Sequence, residues 1–416
     1  MVIRIAAIAF IFLCTCAAWF ALGGTIVHRT YSADESLRGK VESTWGGPHV
    51  QQPPHASSNR KVRHQVEQTV DGKKVITTKD QVVTLPLTLT RTQAKATLSS
   101  EPRQKGLLWY STYAVEFTGE YSFLNPSLES QAVAFTFPLP AKQATYDAVT
   151  FTVNGQTREP SYSEASATVY AEIAGNQTGV LQVSYRSRGL DRWEYNFGEN
   201  VSGVRDFRLV ATTDFDGFDF PENSLSPTHK QEKDSGWDLV WEYKNLVSGV
   251  PIAIVMPQKL QPGPLAGQIS FFAPVSLFFF FFLMFIITTL RGIDLHPMNY
   301  FFLAAAFFAF HLLLAYLVDH ISIHLAFAIC SLVSIFLVVS YLRLVVGIRF
   351  AAVEAALSQF IYLVLFSYAF FFEGFTGLAV TIGAIVTLFV VMQMTGRIRW
   401  ADHFAKVPTK ATSQGI

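Results

Sequence analysis

The chain has 416 residues and a formal net charge of +1; half of its residues are hydrophobic and 15% are charged. Such an even charge balance creates no field that would favour nucleic acid or an anionic surface, which argues against a basic nucleic-acid-binding protein. The three cysteines, Cys14, Cys16 and Cys330, all lie in apolar stretches. The polar part of the chain therefore has to fold without disulfides.

The first element is an apolar segment at the amino terminus. Residues 5–22 are predominantly apolar and follow Arg4, and about twenty such residues are needed to cross a bilayer as a helix. A cleavable secretory signal is the alternative, since small residues at 17–18 or 23–24 would allow cleavage. The apolar part of a signal is usually about 7–15 residues long. We therefore predict an uncleaved transmembrane anchor over residues 1–27.

A long polar region, residues 28–268, follows and has the period of β-strands. Polar and apolar side chains alternate in residues 81–91, and Tyr113, Val115 and Phe117 share one face. Many short strands of this kind predict an exported, antiparallel β-sandwich-like domain. Because this region has no cysteine, it suits a bacterial periplasm better than a eukaryotic cell surface.

Turn residues divide this β-rich region. Asn154-Gly155 follows a strand-like run and is typical of a hairpin turn. Pro86 restricts its strand to a sheet edge or a bulge, and residues 49–64, rich in Pro, Ser, Gln and His, are predicted to form a flexible loop. The periodicity leaves open whether there is one sandwich or two, with a break near residues 199–203.

The last third of the chain contains five apolar stretches of about the length of a membrane-spanning helix. They form a predicted five-helix transmembrane domain, residues 269–400, followed by a cytoplasmic tail, residues 401–416. The predicted spans are residues 271–290, 297–318, 321–342, 350–372 and 375–396.

The loops between these spans differ in charge. The arginines fall on one side of the predicted membrane: Arg291, Arg343, Arg349, Arg397 and Arg399. The alternating loops carry only Asp319 with His320, and Glu373 with Gly374. Because positively charged loops stay inside, we predict a multi-pass protein of a bacterial inner membrane with both termini in the cytoplasm.

Four segments resemble a known family, the inner-membrane protein CreD, also called Cet. They are HPMNY at 296–300, DHI at 319–321, TGRIRW at 395–400 and STWGGP at 43–48. The chain resembles a divergent member, because Asp319 stands where the family usually has glutamate and Trp400 precedes Asp402 instead of following it. The resemblance implies one amino-terminal anchor, a large periplasmic domain and a carboxyl-terminal helix cluster. It also implies a role in envelope integrity and stress response, without a settled biochemical activity.

Four polar residues near or within the spans are the candidate functional residues: Asp319, His320, His324 and His311. On a helix His320 and His324 share a face with the spacing of zinc ligands. The alternative, which we favour, is an interfacial turn in which Asp319 caps the next helix and the histidines bond at headgroup depth. His311 lies within a span, where an ionisable group is a functional candidate by default. No HExxH motif accompanies them.

Two further polar residues in the spans have structural interpretations. Glu354 is predicted to form an interfacial ion pair with Arg349 or Arg343, and Gln359 to bond between helices. Taken together, the sequence predicts no catalytic, cofactor-binding or metal-ligating residue.

The predicted function is a non-catalytic inner-membrane protein of cell-envelope integrity and stress response. Its partners would be the lipid bilayer and a periplasmic protein or cell-wall component bound by the exported domain, with no nucleic acid. The alternative is a transporter- or channel-like accessory that uses the helix cluster, and an enzyme ranks third. The scarcity of charge within the spans favours the first reading.

Overall fold

The computed structural model describes residues 2–70, 73–142, 144–198, 202–372 and 374–396. The chain divides into two compact units. The first, the helical unit, comprises Met1–Asp34, Gly106–Leu108 and Leu260–Ile416; the second, the β unit, comprises Glu35–Lys105 and Trp109–Lys259. The predicted tail, residues 401–416, lies outside the described residues, as do Glu373, Arg397 and Arg399.

Six helices in the described part of the chain are long and apolar enough to cross a membrane. The five carboxyl-terminal ones agree with the predicted spans, except that α2 begins nine residues earlier than residue 271. The helices are α1 (Val2–Trp45), α2 (Pro262–Leu290), α3 (Pro297–Leu317), α4 (Ile323–Val345), α5 (Ile348–Phe371) and α6 (Thr376–Thr395).

Helix α1 continues far beyond the predicted anchor boundary at residue 27. Its 44 residues correspond to about 66 Å, roughly twice the thickness of a hydrocarbon core. The helix ends where Gly46 adopts a φ of +88° and donates its N–H to the Glu42 carbonyl at 2.9 Å. A left-handed glycine directly after the last helical residue is a common way to terminate a helix.

Helix α5 is irregular. It contains two π-helical segments, Ala351–Ala355 and Phe360–Leu365, and ends in a 3₁₀ turn, Ala369–Phe371. Each π segment places an extra residue in a turn, which widens the helix locally and is often found at functional positions.

Seventeen strands lie in the described residues. They are β1 (His49–Gln51), β2 (His55–Val70), β3 (Lys73–Ser100), β4 (Arg103–Lys105), β5 (Leu108–Tyr110), β6 (Thr112–Leu124), β7 (Gln131–Pro138), β8 (Tyr146–Val153), β9 (Gln156–Thr157), β10 (Ser161–Tyr162), β11 (Ser166–Ile173), β12 (Thr178–Leu190), β13 (Arg192–Tyr195), β14 (Ser202–Thr213), β15 (His229–Glu232), β16 (Trp237–Ser248) and β17 (Ile252–Val255).

The β unit is built on a twelve-stranded sheet with a smaller three-stranded sheet. The main path runs β10-β11-β7-β2-β3-β6-β12-β8-β9, and β14 joins it by pairing with β3. Nearly all pairings are antiparallel; β3 with β14 and β1 with β13 are parallel. Alternate residues point into one apolar core that includes Phe135, Trp193 and Trp241. The prediction of a membrane protein with an antiparallel β domain and a carboxyl-terminal helix cluster is therefore confirmed. The β unit has one continuous apolar core.

Two local predictions had different outcomes. Residues 49–64 are not a loop: they form β1 and most of β2, and His49 and Gln51 are fully buried. The prediction was wrong because polar side chains can enter a core when neighbouring groups satisfy their hydrogen bonds. Pro86 behaves as predicted: among the described pairings it faces β2 alone, because β6 pairs with β3 only from Thr88 onward.

Candidate functional site

Asp319 lies in the turn between α3 and α4, as predicted, but it does not cap α4. The residue at the cap position is Ser322, and its side chain makes no hydrogen bond to the first turn of α4. Asp319 Oδ2 instead accepts a hydrogen bond from Arg29 Nη2 of α1 at 2.7 Å. The same guanidinium lies 5.4 Å from the centroid of the Tyr316 ring. The predicted capping role was wrong, because an ion-pair partner 290 residues away leaves no local signal.

Helices α1 and α3 lie side by side and run parallel. An ion pair joins each end: Arg4 Nη1 to Asp294 Oδ1 at 2.5 Å, and Arg29 to Asp319. Between them the Trp19 ring packs on His311 of α3, with centroids 5.4 Å apart. Both ion pairs join residues 290 positions apart in the sequence, so the two helices keep one register over their shared length.

His311 is fully buried in this contact. Its Nδ1 lies 2.9 Å from the Phe307 carbonyl oxygen; a carbonyl can only accept, so Nδ1 carries the proton. Nε2 is then an acceptor, and it has no hydrogen-bond partner among the described residues. The Trp19 indole N–H is also buried and unpartnered there. His311 thus presents a free acceptor inside the helical unit.

The two remaining candidate histidines do not join Asp319 in a site. His320 and His324 are exposed, and the His324 ring lies 5.1 Å from the Phe371 ring. Within the described residues, no three His, Cys, Asp or Glu side chains come together as metal ligands would. The zinc-like spacing of the two histidines is therefore not accompanied by a third ligand in this part of the chain.

Gln359 does bond between helices, as predicted. Its Nε2 donates to Ser334 Oγ of α4 at 2.7 Å, and Ser334 Oγ donates to the Ala306 carbonyl of α3 at 2.6 Å. All of this lies in the buried interior, directly before the second π segment of α5. The ion pair predicted for Glu354 is present with another partner, Arg291 Nη2 at 2.5 Å.

The β unit presents a polar face opposite its core. Five neighbouring strands, β14, β3, β6, β12 and β8, contribute alternate residues to it. Strand register aligns these residues in two rows: Arg208, Gln93, Glu120, Gln182 and Thr152 in one, and Val210, Lys95, Thr118, Ser184 and Thr150 in the other. With neighbouring strands about 4.8 Å apart, each row is about 19 Å long.

Hydrogen bonds hold these side chains across the strands. Thr152 Oγ1 donates to Gln182 Oε1 at 3.1 Å, and Gln182 Nε2 donates to Glu120 Oε2 at 2.9 Å. In the second row the Thr150 and Ser184 hydroxyls are 2.7 Å apart. Both rows line a cleft of about 500 Å³. We refer to this surface as the polar face.

A second cleft, of about 330 Å³, continues the polar face along the same strands. It is lined by Glu116 of β6, Asp147 of β8, and Arg186 and Arg188 of β12. On β12 the two clefts together extend from residue 182 to residue 188, about 20 Å at the rise of a strand. Trp45, the last residue of α1, also lines this cleft and packs against arginines of the strands. Arg103 Cζ lies 3.7 Å from the centroid of its ring. The two clefts together therefore form one track, lined by amide, hydroxyl and guanidinium groups and one indole.

A buried histidine lies beneath the second cleft, and sequence reasoning missed it. His49 Nε2 is 3.0 Å from Ser187 Oγ, and Nδ1 is 3.1 Å from the Tyr113 hydroxyl. The Ser187 hydroxyl donates onward to the Thr145 carbonyl at 2.9 Å. A Cβ on Gly189 would come within 2.4 Å of the imidazole, so only glycine leaves it room. The alternating polar residues of β1 were the available signal.

Burial sets the protonation of this cluster. Desolvation lowers the pKa of His49 to about 4, so the imidazole is neutral near pH 7. Burial likewise raises the pKa of Tyr113 far above its ordinary value. The cluster is therefore a neutral hydrogen-bonded support for the strands that form the second cleft.

The helical part of the chain matches a known family. Residues 267–401 match the family described as inner membrane protein CreD. No curated protein matches the chain. The match covers α2 to α6 and includes Asp319, His320, His324 and His311.

Two of the matching solved structures have a distant likeness to the chain. A candidate nutrient-binding protein from Legionella pneumophila has a TM-score of 0.36 and 9% identity, over 56% of this chain and 76% of its own. A mutant M1 zinc metallopeptidase from Deinococcus radiodurans has a TM-score of 0.28 and 13% identity, over 41% of this chain and 42% of its own. The chain thus spans less than half of the peptidase, and scores this low carry no argument about function.

Proposed function

We propose that the chain is a non-catalytic protein of envelope integrity and stress response, because residues 267–401 match the family described as inner membrane protein CreD. The six helices hold it in the membrane, and the β unit binds an envelope component through its polar face. The observation that carries this proposal is the polar face itself: two adjoining clefts lined by hydrogen-bonding side chains from neighbouring strands.

The proposed orientation puts the β unit outside the cytoplasm. Arg4 at the start of α1, Arg291 after α2, and Arg343 and Arg349 around the α4–α5 turn all belong to helix ends of one side. Positively charged segments of this kind stay in the cytoplasm. The chain between α1 and α2, which includes the β unit, then lies on the periplasmic side, and both termini lie inside.

The chemistry of the polar face suits a hydroxyl- and amide-bearing polymer of the cell wall. Gln93, Gln182 and Thr152 supply donors and acceptors for sugar hydroxyls and N-acetyl groups. Arg186 and Arg208 are able to bind carboxylates of wall peptides, because a guanidinium recognises a carboxylate with two parallel hydrogen bonds. The length of the track, about 20 Å along the strands, is that of several linked sugars rather than of one small solute.

A sedimentation experiment tests the proposal. The full-length protein in detergent would be mixed with purified cell-wall sacculi, and the bound fraction would be measured after centrifugation. Replacing both Gln93 and Gln182 by alanine removes two amide side chains, each worth about 1 kcal/mol, so binding should fall about tenfold or more. Glu172→Ala, an exposed change on β11 outside the two clefts, is the matched control. Equal binding by the folded double variant and the control would refute the proposal.

The second candidate function, a transporter-like accessory, rests on the helical unit. His311 Nε2 is a buried acceptor without a partner, and Gln359 Oε1 is another. Polar atoms of this kind within a membrane domain are typical of solute paths. Solute flux through proteoliposomes that is lost in His311→Phe, with cell-wall binding unchanged, would favour this candidate over the first.

A further inference from the structure

An apolar groove lies between α1 and α2 in the helical unit. Its volume is about 300 Å³. Eight side chains line it, four from each helix, and all are apolar: Ile5, Ile8, Ala9, Phe12, Phe278, Phe281, Phe282 and Phe285. The residues on α1 span two helical turns, about 10 Å.

The walls of the groove are fixed by ring contacts. The Phe278 and Phe282 rings stack with an angle of 2° and centroids 6.2 Å apart, and the Phe12 ring meets Phe278 edge-on at 6.3 Å. Ala9 is the only small side chain among the eight lining residues. The groove is therefore a channel with aromatic walls and one shallow position at Ala9.

The composition of the groove restricts what can occupy it. A bound water needs two to four polar partners, and the lining side chains offer none. Both helices are long and apolar enough to cross a membrane, so a groove lined by their apolar residues lies at the depth of the hydrocarbon core. Hydrocarbon chains are the medium at that depth.

Arg4 adds a polar group at one end of the groove. It precedes Ile8 by four residues, so the two side chains share a face of α1. Its Nη1 bonds Asp294 Oδ1 at 2.5 Å, and its side chain remains 27% exposed. A partly exposed guanidinium one helical turn before Ile8 of an apolar groove matches the two parts of a phospholipid, a phosphate at the surface and a chain below it.

We propose that this groove binds one acyl chain of a diacyl phospholipid whose phosphate contacts the Arg4 guanidinium. The site goes beyond the proposed function, since it lies in the helical unit and involves no residue of the polar face. It also assigns a role to the run of phenylalanines in α2.

Two variants, in each of which one alanine of α1 is replaced by phenylalanine, test the site. Ala9→Phe fills the groove from its shallow position, whereas Ala6→Phe places the same ring on an exposed position that does not line it. Each full-length protein would be purified in mild detergent and its bound phospholipid counted by native mass spectrometry. A phospholipid with a photoreactive acyl chain would then be cross-linked and the labelled peptides mapped.

The wild-type protein and Ala6→Phe should retain about one phospholipid per chain and be labelled on α1 and α2. In Ala9→Phe, both phospholipid retention and cross-linking should be at least about fivefold lower than in the wild type. The smaller side chain of Ala9→Leu should lower both signals less. Arg4→Gln should keep the label in the groove but weaken retention. Equal retention by Ala6→Phe and Ala9→Phe would overturn the site. So would a change of oligomeric state in Ala9→Phe with retention unchanged, because a second copy of the chain would then fill the groove.

Discussion

His49 shows how one residue can change role between sequence and structure. Its surroundings in the sequence, rich in Pro, Ser and Gln, indicated a loop, yet the side chain is fully buried against Tyr113 and Ser187. The neutral imidazole has one N–H, and Nε2 can donate it to Ser187 Oγ, whose own proton goes to the Thr145 carbonyl. Its depressed pKa follows from the same burial.

Acid should destabilise the protein through His49. Its pKa is about 4 in the folded chain and about 6.5 in an unfolded one, so between these values the unfolded state binds more protons. Stability from this group is complete above pH 6.5 and is lost as the pH falls towards 4, by about 3 kcal/mol in total.

Urea unfolding of the full-length protein, followed by fluorescence of the buried Trp193 and Trp241, should show this loss. The free energy of unfolding should fall between pH 6.5 and 4 more steeply for the wild type than for His49→Gln, which cannot titrate. Parallel pH profiles for the two proteins would contradict the prediction.

Asp319 and Arg29 should be coupled, but weakly. Both side chains are partly exposed, 28% and 37%, and ion pairs of such exposure contribute about 0.5–1 kcal/mol. A double-mutant cycle of Asp319→Asn and Arg29→Gln, read out by thermal unfolding in detergent, should give a coupling of that size. His320→Gln should have no effect on stability. If Asp319→Asn and His320→Gln each abolished the proposed function in envelope integrity while the abundance of the protein stayed unchanged, the turn would instead have a chemical role.

At the scale of elements, buried hydrogen bonds and helix irregularities coincide in α5. Gln359 stands between two π segments and reaches Ser334 of α4, which in turn reaches Ala306 of α3. Three helices are thus joined by one chain of hydrogen bonds within an otherwise apolar interior. Such a chain fixes the rotation of each helix, because apolar packing alone tolerates small slips.

Breaking this chain at different points should have unequal costs. Ser334→Ala leaves the Gln359 amide buried without its acceptor, which should cost about 1–3 kcal/mol. Gln359→Leu removes the amide and leaves Ser334 bonded to Ala306, so it should cost less. The double variant should be more stable than Ser334→Ala alone. Thermal unfolding in detergent measures all three, and a double variant that is the least stable would rule this account out.

At the scale of the whole molecule, the proposed orientation follows from the positions of the arginines. A topology with both termini inside requires that the α4–α5 turn be cytoplasmic and the β unit periplasmic. Thr150 in the polar face and Ile348 at the start of α5 are both exposed, so both are suitable reporter positions. Gly347 is unsuitable, since its φ of +113° strains any side chain.

Cysteine labelling in whole cells should separate the two sides. In a protein whose natural cysteines are replaced, Thr150→Cys should react with a membrane-impermeant maleimide and Ile348→Cys should not. Permeabilised cells, in which both positions should react, provide the control. Labelling of Ile348→Cys in intact cells, or no labelling of Thr150→Cys, would contradict the proposed orientation.

Local patterns in the sequence determined a large part of this fold. Apolar stretches of about twenty residues predicted five of the six spanning helices to within a few residues at most ends, since a bilayer imposes length and composition on each helix separately. Strand alternation predicted the β domain for the same reason: a period of two is a property of each segment by itself. Pro86 showed its restriction directly, because a missing N–H acts at its own position.

Tertiary structure alone decided the sites. The partner of Asp319 is 290 residues away, the partner of Glu354 is Arg291 and not the nearer arginines, and the polar face takes residues from five strands. Such contacts depend on which elements become neighbours, and that choice is made by packing summed over the whole core, not by any local pattern. The sequence by itself therefore specified what kind of element each segment forms, and only the fold specified which side chains meet.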